Sequence, residues 1–188
     1  MPVILASSSP RRRDLLAALG VAFEVVSPDV DETRRPGEGA IAYVTRLALD
    51  KVAAVESPSA VLAIAADTTV EVDGQVLEKP VDADDARRML RSLSGRTHRV
   101  HTAMALRFAG RIDHEVVTTD VTFVALTPAV IDWYVATGEP MGKAGAYALQ
   151  GAGGALVDRV DGSVTNVIGL PVAQLLALAA RLGRPLIG

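Results

Sequence analysis

Residues 60–80 read AVLAIAADTTVEVDGQVLEKP, and they combine a buried strand with a tight hairpin. The apolar run that ends at Asp67 is nearly continuous, which is typical of a strand that is covered on both faces of a sheet. Asp73 and Gly74 follow as a strong type I′ turn signal between alternating residues. The stretch therefore predicts a central strand that continues into an antiparallel hairpin.

Apolar runs alternate with helical patterns on both sides of this stretch, which is an α/β signature. Two long strands lie next to each other in sequence, and their antiparallel pairing predicts a mixed sheet flanked by helices in a single domain over residues 1–188. The predicted strands outside the hairpin are 3–6, 23–26, 97–108 and 115–125, and the predicted helices are 11–19, about 38–55, 83–93, 127–135 and 172–182.

Composition limits the class of protein. With 49% hydrophobic and 22% charged residues and no apolar run near the roughly 20 residues that span a bilayer, we expect a soluble cytoplasmic protein without a membrane partner. The lack of cysteine excludes disulfides and zinc-thiolate sites and fits a reducing compartment. The net charge of -3 argues against a broad nucleic-acid-binding surface.

Arginine is the usual cation of this chain, because only Lys51, Lys79 and Lys143 among its 19 basic residues are lysine. Either these three positions require a compact ammonium group, or the distribution is chance.

The stretch LASSSPRRRDLLAALG at 5–20 places three arginines in the first turn of a helix. Arg11 and Arg12 each precede a leucine of the buried stripe by four residues and therefore rise from the core-facing side, whereas Arg13 points to solvent. A serine-rich turn before a helix N-terminus with two inward arginines predicts an anion site that suits phosphate. The alternative is a solvated basic turn.

Asp67 ends its apolar strand at the place where ligands of open α/β sheets collect. If the two turn residues form the hairpin loop, Val70 lies opposite Leu77, and Thr68 lies opposite Lys79. Lys79 then falls beside Asp67 on the face that Val70 and Leu77 bury. The alternative is an ion pair between Asp67 and Lys79 at a sheet edge.

Lys51 is the next position on a helical stripe that contains Ile41 and Val44, although a lysine at the end of a core face is common. Glu32 lies in a loop after the second strand, and on its own it would be read as a solvated acid. Paired with Asp67, it could hold Mg²⁺, which favours one or two carboxylates together with substrate phosphates.

The segment GEPMGKAGAYALQG at 138–151 is not a P-loop, because it has one residue too few between its glycines and has Ala144 where Ser or Thr must hold magnesium. Its glycines still indicate a close backbone approach. Tyr147 could supply stacking, and Gln150 could supply an amide for a base edge.

Eight motifs occur along nearly the whole chain, in the order LASSSPRR, DETRRP, YVTRLALDK, AADTTV, DGQVLEKP, LSGRTH, GEPMGKAGAYALQG and NVIGLP. Taken together, they resemble the motifs of the Maf family of nucleoside triphosphate pyrophosphatases, historically called septum formation inhibitors. The resemblance implies an inosine triphosphatase-like fold, often a homodimer, and cleavage of a nucleotide to its monophosphate and pyrophosphate with a divalent metal (Mg or Mn).

The resemblance also implies roles for individual residues, with Asp67 as general base and Glu32 and Asp67 at the metal. The KAGAYALQG version resembles the branch that acts on dTTP and UTP, whereas the branch that acts on 7-methyl-GTP has Glu in place of Gln150. The positions that match substrate or metal binding are Ser7, Arg11, Arg12, Glu32, Lys51 and Lys79, and those associated with substrate choice are Arg11, Thr68 and Gln150.

The resemblance thus implies a dTTP and UTP pyrophosphatase, with modified pyrimidine nucleotides as further candidate substrates. The alternatives are a 7-methyl-GTP pyrophosphatase and a non-catalytic nucleotide-binding regulator of septum formation. A regulator would not need Asp67, Glu32 and three rare lysines together.

Overall fold

The computed structural model describes residues 2–187, which form seven strands and six α-helices. The strands are β1 (Val3–Ala6), β2 (Glu24–Val26), β3 (Leu62–Val72), β4 (Gln75–Leu77), β5 (Thr97–Phe108), β6 (Arg111–Phe123) and β7 (Val157–Asp161). The helices are α1 (Pro10–Ala17), α2 (Ala40–Ala54), α3 (Ala83–Leu93), α4 (Pro128–Ala136), α5 (Val164–Ile168) and α6 (Val172–Arg181).

The predicted mixed sheet is confirmed. Six strands run in the order β2-β1-β3-β5-β6-β7, and β4 pairs with β3. The β1 strand is parallel to both β2 and β3, whereas β3, β5, β6 and β7 are successively antiparallel.

The hairpin has the predicted register, with Val70 opposite Leu77. Its turn residues, Asp73 and Gly74, have positive φ angles of 51° and 74°, as a type I′ turn requires. The β6 strand begins at Arg111, four residues before the predicted start, because the preceding turn is tight and pairing starts immediately after it.

The two faces of the sheet carry side chains of different size. Helix α2 packs on a face lined by four alanines, and small residues let a helix lie close to a sheet. Helices α1 and α6 cover larger side chains on the other face. The alanines are Ala63, Ala65, Ala103 and Ala105, and the larger residues include Leu62, Ile64, Met104 and Leu106.

A crevice forms where β1 stops and β3 continues. The parallel pairing of these strands ends at Ala6 and Ala65, and Asp67 follows two residues later on β3. The chain after β1 turns through three serines into α1, so the N-terminus of this helix faces the free stretch of β3. Within residues 2–187, no helix combines the length and apolar character needed to cross a membrane.

Candidate active site

A cleft of about 790 Å³ opens at this crevice, and every site residue predicted from the sequence lines it. Its floor comes from β3 and its walls from the serine turn with α1, the loop before α2, and the glycine-rich segment, residues 138–154. The predicted residues in the lining are Ser7, Arg11, Arg12, Glu32, Lys51, Asp67, Thr68, Lys79 and Gln150.

Lys51 joins the two acids of the cleft. Its Nζ atom lies 2.6 Å from Asp67 Oδ1 and 2.7 Å from Glu32 Oε1, and its side chain is only 8% exposed. Lys79 Nζ lies 3.4 Å from Glu32 Oε2, but this side chain is 64% exposed. Burial opposes the charge of Glu32, yet the hydrogen bond from Lys51 and the charges of both lysines outweigh it and lower the pKa of Glu32.

The expected placement of Lys79 on a buried face was wrong. The β4 strand ends at Leu77, and the carbonyl of Glu78 accepts a hydrogen bond from the Gly145 N–H at 3.2 Å. Beyond the end of the strand the pleat no longer fixes the side chain, so Lys79 extends into the open cleft. There it contacts Glu32, and the ion pair of Asp67 is with Lys51.

Arg12 is buried in a network that ties three elements together. Its Nε donates to the Gly169 carbonyl at 2.7 Å, and its two terminal nitrogens donate to Thr68 Oγ1 at 2.9 Å and Ser7 Oγ at 3.3 Å. Thr68 Oγ1 is in turn 2.8 Å from Thr102 Oγ1. Arg12 therefore fixes the serine turn against β3 and the end of α5.

Arg11 has the opposite character. Within residues 2–187, its guanidinium makes no hydrogen bond or ion pair, and burial lowers its pKa. An unpaired, partly buried cation is costly unless an anion joins it. As predicted, Arg11 and Arg12 turn inward and Arg13 is exposed. Ser9 occupies the N-cap position of α1, but its side chain makes no capping hydrogen bond.

Tyr43 was missed by the sequence reasoning. Its hydroxyl donates to the Glu32 carbonyl at 2.9 Å and so holds the loop that carries this acid. It occupies the inner face of α2, whereas Ile41, which was predicted on that stripe, is 52% exposed. The sequence signal for Tyr43 was its position four residues before Leu47, because this spacing places both side chains on the same face of α2.

The glycine-rich segment forms the far wall. Gly145 has a φ of 70°, and a Cβ there would lie 2.8 Å from Val70 Cγ2. Tyr147 is buried, and its hydroxyl is 2.9 Å from Nε2 of His98, whose pKa burial lowers to about 4. Gln150 is exposed at the cleft.

Lys143 also lines the cleft, although the sequence reasoning assigned it no role. Its ammonium group donates to the carbonyl of Glu139, and burial, together with the charge of Arg11, lowers its pKa. The rarity of lysine in this chain was the sequence signal that could have identified Lys143 as a residue of the site.

Glu32 and Asp67 suit the divalent cation that the family resemblance implies. Both carboxylates contact the ammonium group of Lys51, so the two acids lie close to each other. No group of three or more His, Cys, Asp or Glu within residues 2–187 forms a complete metal site. Two carboxylates completed by phosphate oxygens and water are the donor set that Mg²⁺ accepts.

Comparison with known proteins adds three kinds of finding. The family model described as Maf-like protein matches residues 2–182. A dTTP/UTP pyrophosphatase of Anaeromyxobacter dehalogenans (strain 2CP-1) is 55% identical over 98% of this chain and 95% of its own length. The protein of that name from Myxococcus xanthus is 52% identical over 98% and 94%, and that from Chromobacterium violaceum is 47% identical over 96% and 94%.

Among solved structures, the nucleoside-triphosphatase/dITP/XTP pyrophosphatase of Mycobacterium abscessus aligns with a TM-score of 0.43 and 19% identity, over 67% of this chain and 76% of that one. The Ham1 protein of Staphylococcus aureus aligns with a TM-score of 0.45 and 15% identity, over 65% and 72%.

Proposed function

Because this chain belongs to the Maf-like protein family, we propose that it hydrolyses dTTP and UTP to the nucleoside monophosphate and pyrophosphate in the cleft. The observation that carries the proposal is that acids and cations from distant parts of the chain line one cavity, at the end of β1 and at the start of α1. Relatives at about half identity over nearly the full chain bear the name of this activity.

The triphosphate binds against the N-terminus of α1, where backbone N–H groups and the helix dipole favour an anion. Arg11 and Lys79 are the cations best placed to receive it, because Arg11 is unpaired within residues 2–187 and Lys79 is largely exposed. Phosphoryl transfer requires mainly positioning and charge stabilisation, which this arrangement supplies.

Asp67 orients the attacking water and takes its proton. Lys51 fixes Oδ1 of Asp67 at 2.6 Å, while Oδ2 accepts no hydrogen bond within residues 2–187. Although Asp67 is largely buried, Oδ2 is not among the fully buried unpartnered atoms and can accept a hydrogen bond from water. The water oxygen forms a bond to the α-phosphorus, the bond from this phosphorus to the α,β-bridging oxygen breaks, and pyrophosphate leaves. When bound by Glu32 and Asp67, Mg²⁺ or Mn²⁺ supplies further charge stabilisation at the phosphate oxygens.

Gln150 supports the choice of pyrimidine. Uracil and thymine both present an N3–H donor between two keto oxygens, and an amide offers both a donor and an acceptor to such an edge. A 7-methyl-GTP pyrophosphatase is disfavoured by Gln150, and a purely regulatory protein by the complete set of acids and lysines in the cleft.

We extend the proposal to a cytoplasmic homodimer, since the family resemblance implies a dimer and the lack of cysteine fits a reducing compartment.

A nucleotide panel tests the proposal. Purified protein is incubated with dTTP, UTP, CTP, 7-methyl-GTP and GTP, with Mg²⁺ or Mn²⁺, and pyrophosphate and monophosphate are quantified. We expect release of both products in equal amounts from dTTP and UTP, and far less from the other three nucleotides. Preference for 7-methyl-GTP would favour the first alternative, and no turnover of any nucleotide would favour the regulator.

A further inference from the structure

Gln150 depends on its backbone for its position. Its side chain is exposed and makes no hydrogen bond within residues 2–187. It immediately precedes the short 3-10 segment Gly151–Leu156, so whatever fixes the first residues of that segment also fixes Gln150.

Glu139 fixes those residues through its carboxylate. Oε2 accepts a hydrogen bond from the Ala152 N–H at 3.0 Å, and Oε1 accepts one from the Gly153 N–H at 2.9 Å. A Cβ at Gly151 would lie 2.5 Å from Oε2, and one at Gly153 would lie 2.2 Å from the Ala148 carbonyl oxygen, 2.6 Å from the Tyr134 hydroxyl and 3.1 Å from Oε1. The two glycines therefore allow the carboxylate to approach the backbone this closely.

Tyr134 secures the carboxylate to the fold. This tyrosine is fully buried on α4, and its hydroxyl donates to Glu139 Oε1 at 2.9 Å and accepts from the Ala148 N–H at 3.1 Å. Burial opposes ionisation of Glu139, but the backbone N–H of Gly153 and the Tyr134 hydroxyl outweigh it and lower the pKa of Glu139. A carboxylate that accepts several hydrogen bonds holds its partners more strongly than a neutral group does.

We propose that Glu139 is a positioning residue that holds Gln150 at the nucleobase end of the cleft and thereby sets selectivity for uracil and thymine nucleotides. The inference rests on the proposed function and adds to it a residue with no other assigned role. The main-chain carbonyl of Glu139 also accepts a hydrogen bond from the ammonium group of Lys143, which lines the cleft. Without the Glu139 carboxylate, the segment that begins at Gly151 samples more conformations, so Gln150 discriminates less well between bases.

The variant Glu139→Gln tests this inference, because it keeps the shape and the main-chain carbonyl but turns an amide N–H₂ towards a backbone donor. We expect kcat/KM for UTP relative to CTP to fall about tenfold, mostly through KM, with kcat for UTP within about twofold of wild type. Tyr134→Phe removes one of the three hydrogen bonds that the Glu139 carboxylate accepts, together with the acceptor of the Ala148 N–H, and should lower the same ratio by a smaller factor. Glu56→Gln, at an exposed site away from the cleft, is the matched control and should leave it unchanged.

Three outcomes would overturn the inference. Glu139→Gln and Tyr134→Phe could both keep the wild-type UTP-to-CTP ratio, or Glu139→Gln could lower kcat alone, which would mean that Glu139 serves the chemical step. If Glu139→Gln does not fold, as judged by circular dichroism, an unchanged ratio in Tyr134→Phe overturns the inference by itself. Wild-type protein that released no pyrophosphate from UTP would instead overturn the proposed function and, with it, the basis of the inference.

Discussion

Two lysines that contact the same carboxylate show how burial sets the importance of a single residue. Lys51 and Lys79 both reach Glu32, but their side chains are 8% and 64% exposed. The Lys51 site also includes Asp67, whose side chain is 12% exposed. Removing one member of a buried ion pair leaves an uncompensated charge, whereas an exposed pair contributes little.

We therefore expect Lys51→Met to lower the free energy of unfolding by about 3 kcal/mol, because Asp67 and Glu32 then lose their shared cation. Lys79→Met is the matched control, and we expect it to change this free energy by less than about 1 kcal/mol. Urea denaturation of both variants measures the difference. Equal losses would show that the ammonium of Lys51 is not held as described.

The sequence predicted which side chains point inward but not which groups they contact. The helical spacing correctly predicted that the side chains of Arg11 and Arg12 point inward. It could not reveal that Arg12 donates to the Gly169 carbonyl, because this partner lies 157 residues away. The surroundings of Lys79 were predicted incorrectly, because the hairpin register was extended past Leu77, where β4 ends.

At the scale of elements, local turn chemistry explains what was predictable. The Asp73-Gly74 turn correctly predicted the hairpin register. The predicted bounds of α3 agree with those of the structure. Asp82 caps the first turn of this helix, because its side chain accepts a hydrogen bond from the Asp85 N–H at 2.8 Å. The edge strand β7 and the five-residue α5 were not predicted. Their sequences are short, and much of β7 is exposed, so neither carries a clear hydrophobic period.

Two glycines of the glycine-rich segment make a matched pair at this scale. Both Gly142 and Gly145 have positive φ angles, of 72° and 70°, but only Gly145 has a close neighbour, the side chain of Val70. We expect Gly142→Ala to cost about 1 kcal/mol of stability from backbone strain alone. Gly145→Ala should cost about 3 kcal/mol, because overpacking against β3 adds to the strain.

Thermal or urea unfolding of the two variants provides the measurement. Similar losses would contradict the packing of this segment on β3. A smaller loss in Gly145→Ala than in Gly142→Ala would contradict it more strongly.

At the scale of the whole molecule, the cleft exists because β3 has two kinds of neighbour. Its first half pairs in parallel with β1, and its second half pairs only with antiparallel strands. Where β1 stops, Asp67 and Thr68 become accessible from the serine turn, α2 and the glycine-rich segment at once. The sequence indicated a site at this strand end, but the convergence of so many separate segments required the complete topology.

We propose that this one cleft hydrolyses nucleoside triphosphates through Asp67. The most direct measurement is the rate of pyrophosphate release from UTP by wild-type protein, Asp67→Asn and the exposed control Asp50→Asn, each checked for its fold by circular dichroism. We expect wild-type turnover in Asp50→Asn and a loss of at least about 100-fold in a folded Asp67→Asn. Near-normal release by Asp67→Asn would contradict the role of Asp67 as the group that orients and deprotonates the attacking water.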